Sequence, residues 1–521
     1  MKNVVRYIAI ASFLMAAGSA FAADLRLIEA VKKSDAKTVR ALIAQRIDVN
    51  ATEVDGSTAL HWAAQRDNPE IADLLLTAGA NAKAATRYNV TPLSLACMNG
   101  NAAIIERLLK AGVDPNSTSE EGQTAVMTAA LNGKPDALKA LLSHRADVNV
   151  QEPVRGQTAL MWAASEGNAA AVELLLAAGA DVKAKSKNGL TPFLFAVRNG
   201  HIAAVNVLLG HGANVNDAAP DGTSAMNMAV VNAYFELAAI LLDHGADPNA
   251  VDPRGSALHT LAWLRKPGAD GAAGVGNTPH GPPRPSGNVT ALELAKKLLE
   301  KGANPNVRIS WEEKRFDKEG GTMKNPPLIQ LGRHYLTYVG ATPFYVAAHN
   351  GDAPYMRLLA DHGADPKMPN VLGITPLIAA SGLDYWEGEA PGPFTGCTEA
   401  ERLEAVKLAI ELGNDINAHA DFGDYAMEGD PSYLLLYYPL NMDQLQGKVL
   451  GDPRWSGSTP LHAAVVSGQS GIVKYLIEHG AKVDAKTKLG WTPLDMAGGI
   501  FYANARKDYP AAAEILRAAS K

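Results

Sequence analysis

Thirteen histidines and two cysteines are the side chains of this 521-residue sequence best equipped to hold a metal or to act as nucleophiles. Five of the rings, His144, His211, His244, His362 and His479, recur just before a Gly-Ala-Asp-like turn. A shared zinc ion needs ligand atoms about 2 Å from the metal. Equivalent positions on successive packed helices lie roughly 8–10 Å apart, so these rings do not converge on one ion. The end of a helix instead favours their partial positive charge. The chain contains no His-Glu-x-x-His, no phosphate loop, no Gly-x-Ser-x-Gly and no Cys-x-x-Cys. Cys97 reads as an inert core thiol. Cys397 lies in an insertion, where an exposed, free thiol is the lesser of two readings, because no basic neighbour supports its activation. Glu387 and Glu389, beside Trp386, are a carboxylate pair of the kind that does acid–base work, or that simply faces solvent. The sequence thus assigns no catalytic, cofactor-binding or metal-binding residue.

The elements that position these residues are repeated. Thr58-Ala59-Leu60-His61 returns as Thr91-Pro92-Leu93, Thr124-Ala125-Val126, Thr158-Ala159-Leu160, Thr191-Pro192-Phe193 and Ser224-Ala225-Met226, at steps of 33, 33, 34, 33 and 33 residues. Further copies stand at Ser256-Ala257-Leu258-His259, Thr342-Pro343-Phe344, Thr375-Pro376-Leu377, Thr459-Pro460-Leu461-His462 and Thr492-Pro493-Leu494. A second signature tracks the first: Gly79-Ala80-Asn81, Gly179-Ala180-Asp181, Gly212-Ala213-Asn214-Val215-Asn216 and Gly245-Ala246-Asp247-Pro248-Asn249. Threonine caps a first helix, and proline follows where a missing N–H costs nothing. Leu60, Ala63 and Ala64 fall at helical spacing, and Leu74, Leu75 and Leu76 are expected to fill the core from a second helix. Gly79 ends that helix in the left-handed region. His61, His259 and His462 belong to the motif and read as folding residues, and Trp62 and Trp162 as packing between layers. One such unit cannot bury its apolar face alone, so the copies must stack.

In period and wording the chain resembles the ankyrin-repeat family over nearly all of residues 24–521 outside four insertions. The resemblance implies an all-α solenoid of about twelve repeats, each a helix pair with a β-turn finger. It also implies that partners lie along a concave face made by fingertips and the ends of first helices.

Residues 1–22 read as a secretory signal peptide: Lys2 and Arg6, an apolar run from Tyr7 to Ala17, and Ala20-Phe21-Ala22 as a cleavage site. Residues 23–50 are expected to cap the stack, and regular repeats follow over 51–265. Eleven of the 24 residues in 266–289 are Gly or Pro, which reads as a flexible insertion between two helices of one repeat. Residues 290–521 carry the remaining repeats, a C-terminal cap, and insertions at 307–340, 383–399 and 418–457. Those three insertions hold 13 of the chain's 32 aromatic residues, which suit either self-packing or a partner.

A net charge of −6 gives no footprint for nucleic acid, and two cysteines are too few for a disulfide scaffold. No apolar stretch of membrane-spanning length follows residue 25. The expectation is an exported bacterial scaffold, periplasmic or secreted and monomeric, that binds another protein without cofactors. The expected contacts are Arg66, Arg87, Tyr88, Arg155, Arg198, Trp263, Trp386, Tyr433, Tyr437, Tyr438 and Trp491. The alternatives are an enzyme whose site is built from the insertions, and a secreted effector that binds a host protein.

Overall fold

The computed structural model describes residues 24–119, 121–252, 255–266, 285–309, 340–383, 397–421, 456–502 and 505–521. The expected signal peptide lies outside them, as do Trp386, Glu387, Glu389, Tyr433, Tyr437 and Tyr438 and most of each insertion.

The described residues form 24 helices, arranged as twelve consecutive pairs in two compact units, Met1–Asn214 and Val215–Lys521. Unit 1 contains α1 (Arg26–Lys32) and α2 (Ala36–Ala44), α3 (Ala59–Gln65) and α4 (Pro69–Thr77), and α5 (Pro92–Asn99) and α6 (Ala102–Lys110). It continues with α7 (Ala125–Leu131) and α8 (Pro135–Ser143), α9 (Ala159–Ser165) and α10 (Ala169–Ala177), and α11 (Pro192–Arg198) and α12 (Ile202–Gly210). Unit 2 contains α13 (Ala225–Val231) and α14 (Phe235–Asp243), α15 (Ala257–Arg265) and α16 (Ala291–Glu300), and α17 (Pro343–His349) and α18 (Ala353–Asp361). Its last pairs are α19 (Pro376–Ala380) and α20 (Glu399–Glu411), α21 (Pro460–Val466) and α22 (Ser470–Glu478), and α23 (Pro493–Ala497) and α24 (Pro510–Ala519). Within each unit, successive first helices pack against one another. Among the described residues, no helix is long and apolar enough to cross a membrane.

The capping chemistry follows the sequence. The Thr58 hydroxyl accepts the His61 N–H, and Thr91, Thr124, Thr158, Thr191, Thr342, Thr375, Thr459 and Thr492 do the same for their own helices. Gly79 turns at φ 90°, which lets Ala80 N–H reach Leu75 O at 2.9 Å and closes α4. Arg145 takes the same left-handed turn at φ 62° with a side chain attached. Arg145→Gly should therefore raise stability by about 1 kcal/mol, read as an increase in melting temperature by calorimetry. The three expected core leucines of α4 separate: Leu75 is fully buried, whereas Leu74 and Leu76 are half-buried. Consecutive helical residues sit about 100° apart and cannot share one buried face.

A ladder of asparagines ties neighbouring repeats. The Asn249 amide donates to Gly302 O (2.9 Å), and its oxygen accepts the Asn304 N–H (2.7 Å). Asn50, Asn149, Asn306 and Asn417 clamp the next repeat in the same way. Asn249→Ala leaves a carbonyl and an N–H without these partners. It should cost about 1–2 kcal/mol in urea unfolding, and Asn249→Asp should recover part of that through the retained acceptor.

The insertions leave the helix pairs intact. Residues 310–339 depart from and return to a pinch in which Ile309 N–H bonds Ala341 O (3.0 Å) and Gly340 N–H bonds Ile309 O (2.7 Å). Ala420 makes the equivalent pair with Ser458 (2.9 Å) and Gly457 (2.7 Å). Residues 267–284 fall between α15 and α16, and residues 384–396 between α19 and α20. The last pair holds a feature absent from the sequence reading: a hairpin of β3 (Ile500–Tyr502) and β4 (Ala505–Lys507) joins α23 to α24. It follows the finger ribbon of β1 (Val251–Asp252) and β2 (Gly255–Ser256) in chain order.

Candidate partner-binding face

In unit 1, fingertips precede each capping threonine by three or four residues, and first helices end seven or eight residues after it. These two places are where unit 1 exposes large apolar side chains. Val54 is 89% exposed, Tyr88 72% and Val154 67% at fingertips, and Met98 and Leu131 are exposed at the ends of α5 and α7. Arg66, Arg87, Arg155 and Arg198 are exposed among them. The fingers are held in pairs: Arg87 N–H bonds Asp55 O (2.8 Å), and Lys187 N–H bonds Arg155 O (2.9 Å). The Arg87 guanidinium also donates to Val54 O. Asn99 is spent internally, because its amide donates to Ala64 O (2.9 Å) and Gln65 O (3.0 Å) at the end of α3. Asn199 does the same for Ser165 O (2.7 Å).

In unit 2 three of the equivalent places are closed: Trp263 in α15, His349 in α17 and Val466 in α21 are buried, whereas Val231 at the end of α13 is half-buried. Trp263, expected as a contact residue, is only 6% exposed, packs its indole beside the His259 ring at 6.5 Å, and is corrected to a core residue. Trp491 is half-buried, and its carbonyl is occupied by His462. Among the described residues of this unit, Val251 and Val371 are the exposed large apolar ones, and both lie in fingers.

The motif histidines are staples between repeats. Thr58 N–H donates to His61 Nδ1 (3.1 Å), which leaves the ring proton on Nε2, 3.0 Å from Val90 O in the next finger. His259 repeats this between Ser256 and Ala341 (both 3.1 Å), and His462 between Thr459 and Trp491 (both 3.1 Å). Burial lowers all three rings from their ordinary range, His259 and His462 to about 4. His144, His211, His244, His362 and His479 stand at the C-caps of second helices. His144 and His211 stand 3.2 Å from the Glu106 and Glu173 carboxylates, and His362 and His479 donate to Leu358 O and Tyr475 O at 2.8 Å. Among the described residues no group of three or more His, Cys, Asp or Glu is arranged to hold a metal. Chelator should leave the thermal unfolding curve where it is, and a loss of several degrees would expose a structural metal.

Cys97 is fully buried, which pushes its thiol pKa well up. Cys397 is half-buried, with Sγ 3.5 Å from Thr398 O, and burial raises its pKa too. Cys397 is therefore a partly covered thiol of low thiolate content.

Unit 2 also carries a cleft of about 500 Å³ along α18 and α20, lined by Arg265, Asp352, Arg357, Glu401, Lys407 and Glu411 among others. Its charges are matched internally. Arg265 grips Asp352 with two bonds (2.7 and 2.9 Å), Lys266 meets Glu401 (2.6 Å), and Arg357 meets Glu411 (2.9 Å). Lys266, and then the Thr398 bonds, push Glu401 down to about 2, and Arg357 lowers Glu411. Both are anions at neutral pH and hold no proton to donate as general acids.

Family models agree with this architecture. Models described as "Ankyrin repeats (3 copies)" match residues 27–119, 93–186, 178–252 and 397–499, and "Ankyrin repeat" matches 339–371. The chain is 37% identical to ankyrin repeat domain-containing protein 40 of Mus musculus over 71 residues, 13% of this chain and 20% of that protein. It thus spans about a fifth of that relative's length. It is 28% identical to alpha-latrocrustotoxin-Lt1a of Latrodectus tredecimguttatus over 144 residues, 21% of this chain and 10% of the toxin. A solved structure, the human ASB11 ankyrin repeat domain, matches at 27% identity and a TM-score of 0.37, covering 39% of this chain and 91% of that one. With family models matching more than half of its length, and with twelve helix pairs among the described residues, the chain belongs to the ankyrin-repeat family.

Proposed function

We propose that this chain is an exported, monomeric protein-binding scaffold that takes its partner on the fingertip and first-helix face of unit 1. Ankyrin repeats generally serve as protein-binding scaffolds. One observation carries the choice of face. Among the described residues, the exposed large apolar side chains are Val54, Tyr88, Met98, Leu131, Val154, Val251 and Val371, and every one lies at a fingertip, in a finger or at a first-helix end. Five of the seven belong to unit 1. Exposed aromatic and aliphatic side chains ringed by arginine are the composition of a protein interface. Arg66, Arg87, Arg155 and Arg198 supply the polar rim, and Tyr88 is the central anchor. Export rests on the basic start, apolar run and Ala-x-Ala site of residues 1–22.

Photo-crosslinking in the native host tests both parts. A crosslinker at Tyr88, Met98 or Val154 should capture one common protein in the envelope or the medium. The same group at Lys110 or Lys139, on second helices, should not. Equal capture from both sides would move the binding face. A protein that remains in the cytoplasm with Met1 at its N-terminus would overturn the export.

A further inference from the structure

The three histidine staples are chemically alike, but they close different kinds of seam. His61 and His259 join layers that have further repeats on both sides. His462 joins α21–α22 to α23–α24, a pair with one neighbouring layer among the described residues. In a solenoid each repeat is held by its neighbours, and among the described residues this interface is the one that holds α23–α24.

The staple works only with a neutral ring. Thr459 N–H and the Thr459 hydroxyl both lie against His462 Nδ1, at 3.1 and 2.8 Å, so the proton belongs on Nε2, facing Trp491 O at 3.1 Å. A second proton on Nδ1 would point at a buried N–H and leave that donor without its acceptor. The charged groups facing the ring come from both sides of the seam. His419, on the preceding finger, disfavours charge on His462, and Asp495, in α23, favours it. The Asp495 carboxylate is already committed to Thr492 N–H (2.8 Å) and the Thr492 hydroxyl (2.6 Å). His419 itself bonds Gly457 O at 2.8 Å, so two rings are gathered at one seam.

We propose that His462, with His419 beside it, is an acid-sensitive latch whose protonation releases the C-terminal repeat, α23–α24, from the stack. Release bares the layer of α21 and α22 while the layers before it remain joined. Because the staple holds the neutral ring, the latch is closed at neutral pH and opens on acidification.

Hydrogen exchange of the full chain, followed by mass spectrometry at pH 7 and pH 4.5 and corrected for intrinsic exchange rates, tests the latch. Protection of amides in 493–519 should fall about 50-fold at pH 4.5, ahead of those in 460–478. The chain supplies its own neutral replacement: Asn227 stands at the same motif position and donates its amide to Ala250 O and Gly255 O at 3.3 and 3.5 Å. His462→Asn should therefore make protection of 493–519 independent of pH over this range. His419→Asn keeps the staple and should leave protection at pH 7 intact while reducing the acid loss, which covers the case in which the first variant frees the repeat at pH 7. Unchanged protection of 493–519 in the wild type at pH 4.5, or an undiminished loss in His419→Asn, would overturn the proposal.

Discussion

Arg265→Met should destabilise the α15–α18 region by about 3–5 kcal/mol, a larger loss than from any surface substitution in the chain. Asp352 is 0% exposed and Arg265 17%, and the pair is bidentate. Asp352 also caps α18 by accepting the Tyr355 N–H, while the Arg265 guanidinium lies over the Tyr355 ring at 5.6 Å. Methionine keeps much of the apolar stem but leaves a buried carboxylate without its counter-charge. The cost comes from that stranded charge, not from the worth of the pair. Arg265→Met/Asp352→Ser removes both charges and keeps a cap, so it should recover most of the loss. Hydrogen exchange at Pro343–Asp361 reads the effect locally, which suits an array whose repeats need not unfold together. If the double variant proved as unstable as the single one, the pair would be a net stabiliser in its own right.

The second large effect is acid sensitivity through His259. Its folded pKa is about 4, lowered by burial, against an unperturbed 6.5. Between those values the unfolded chain binds a proton that the folded chain does not, so stability falls as the pH falls. The contribution is fully present above pH 6.5, is lost progressively toward pH 4, and changes no further below it. The interval corresponds to about 3 kcal/mol for this ring. Urea unfolding of the wild type should show the decline across that window. His259→Asn removes the titrating group and the Nε2 bond to Ala341 O, so it should be less stable at pH 7 and have a flatter profile from 7 to 4. A variant profile as steep as the wild type would assign the acid loss to other groups.

The repeat was legible because its information is local. Thr58, Pro92 and Gly79 each act within one turn of their own position, so period and wording are enough to place helix starts and stops. The twelve helix pairs follow from that register. The five helix-end histidines sit at the C-caps the spacing requires, because a cap position is itself a local property.

What escaped the sequence depends on partners far along the chain. Met98 and Trp263 hold the same place in their first helices, yet one is 52% exposed and the other 6%. Exposure is set by what the rest of the chain lays over a position, and periodicity does not encode that. Asn249 reads as a turn residue until Gly302 and Asn304 are seen closing on its amide. Arg265 and Asp352 are 87 residues apart, and Lys266 and Glu401 are 135 apart, so nothing in their local context marks them as pairs. The sequence by itself determined the repeat, its caps and its family, because each rests on contacts within a few residues. Only the tertiary structure decided which face stays open, which charges are buried together and which histidines join one layer to the next, because burial and pairing arise when the layers stack.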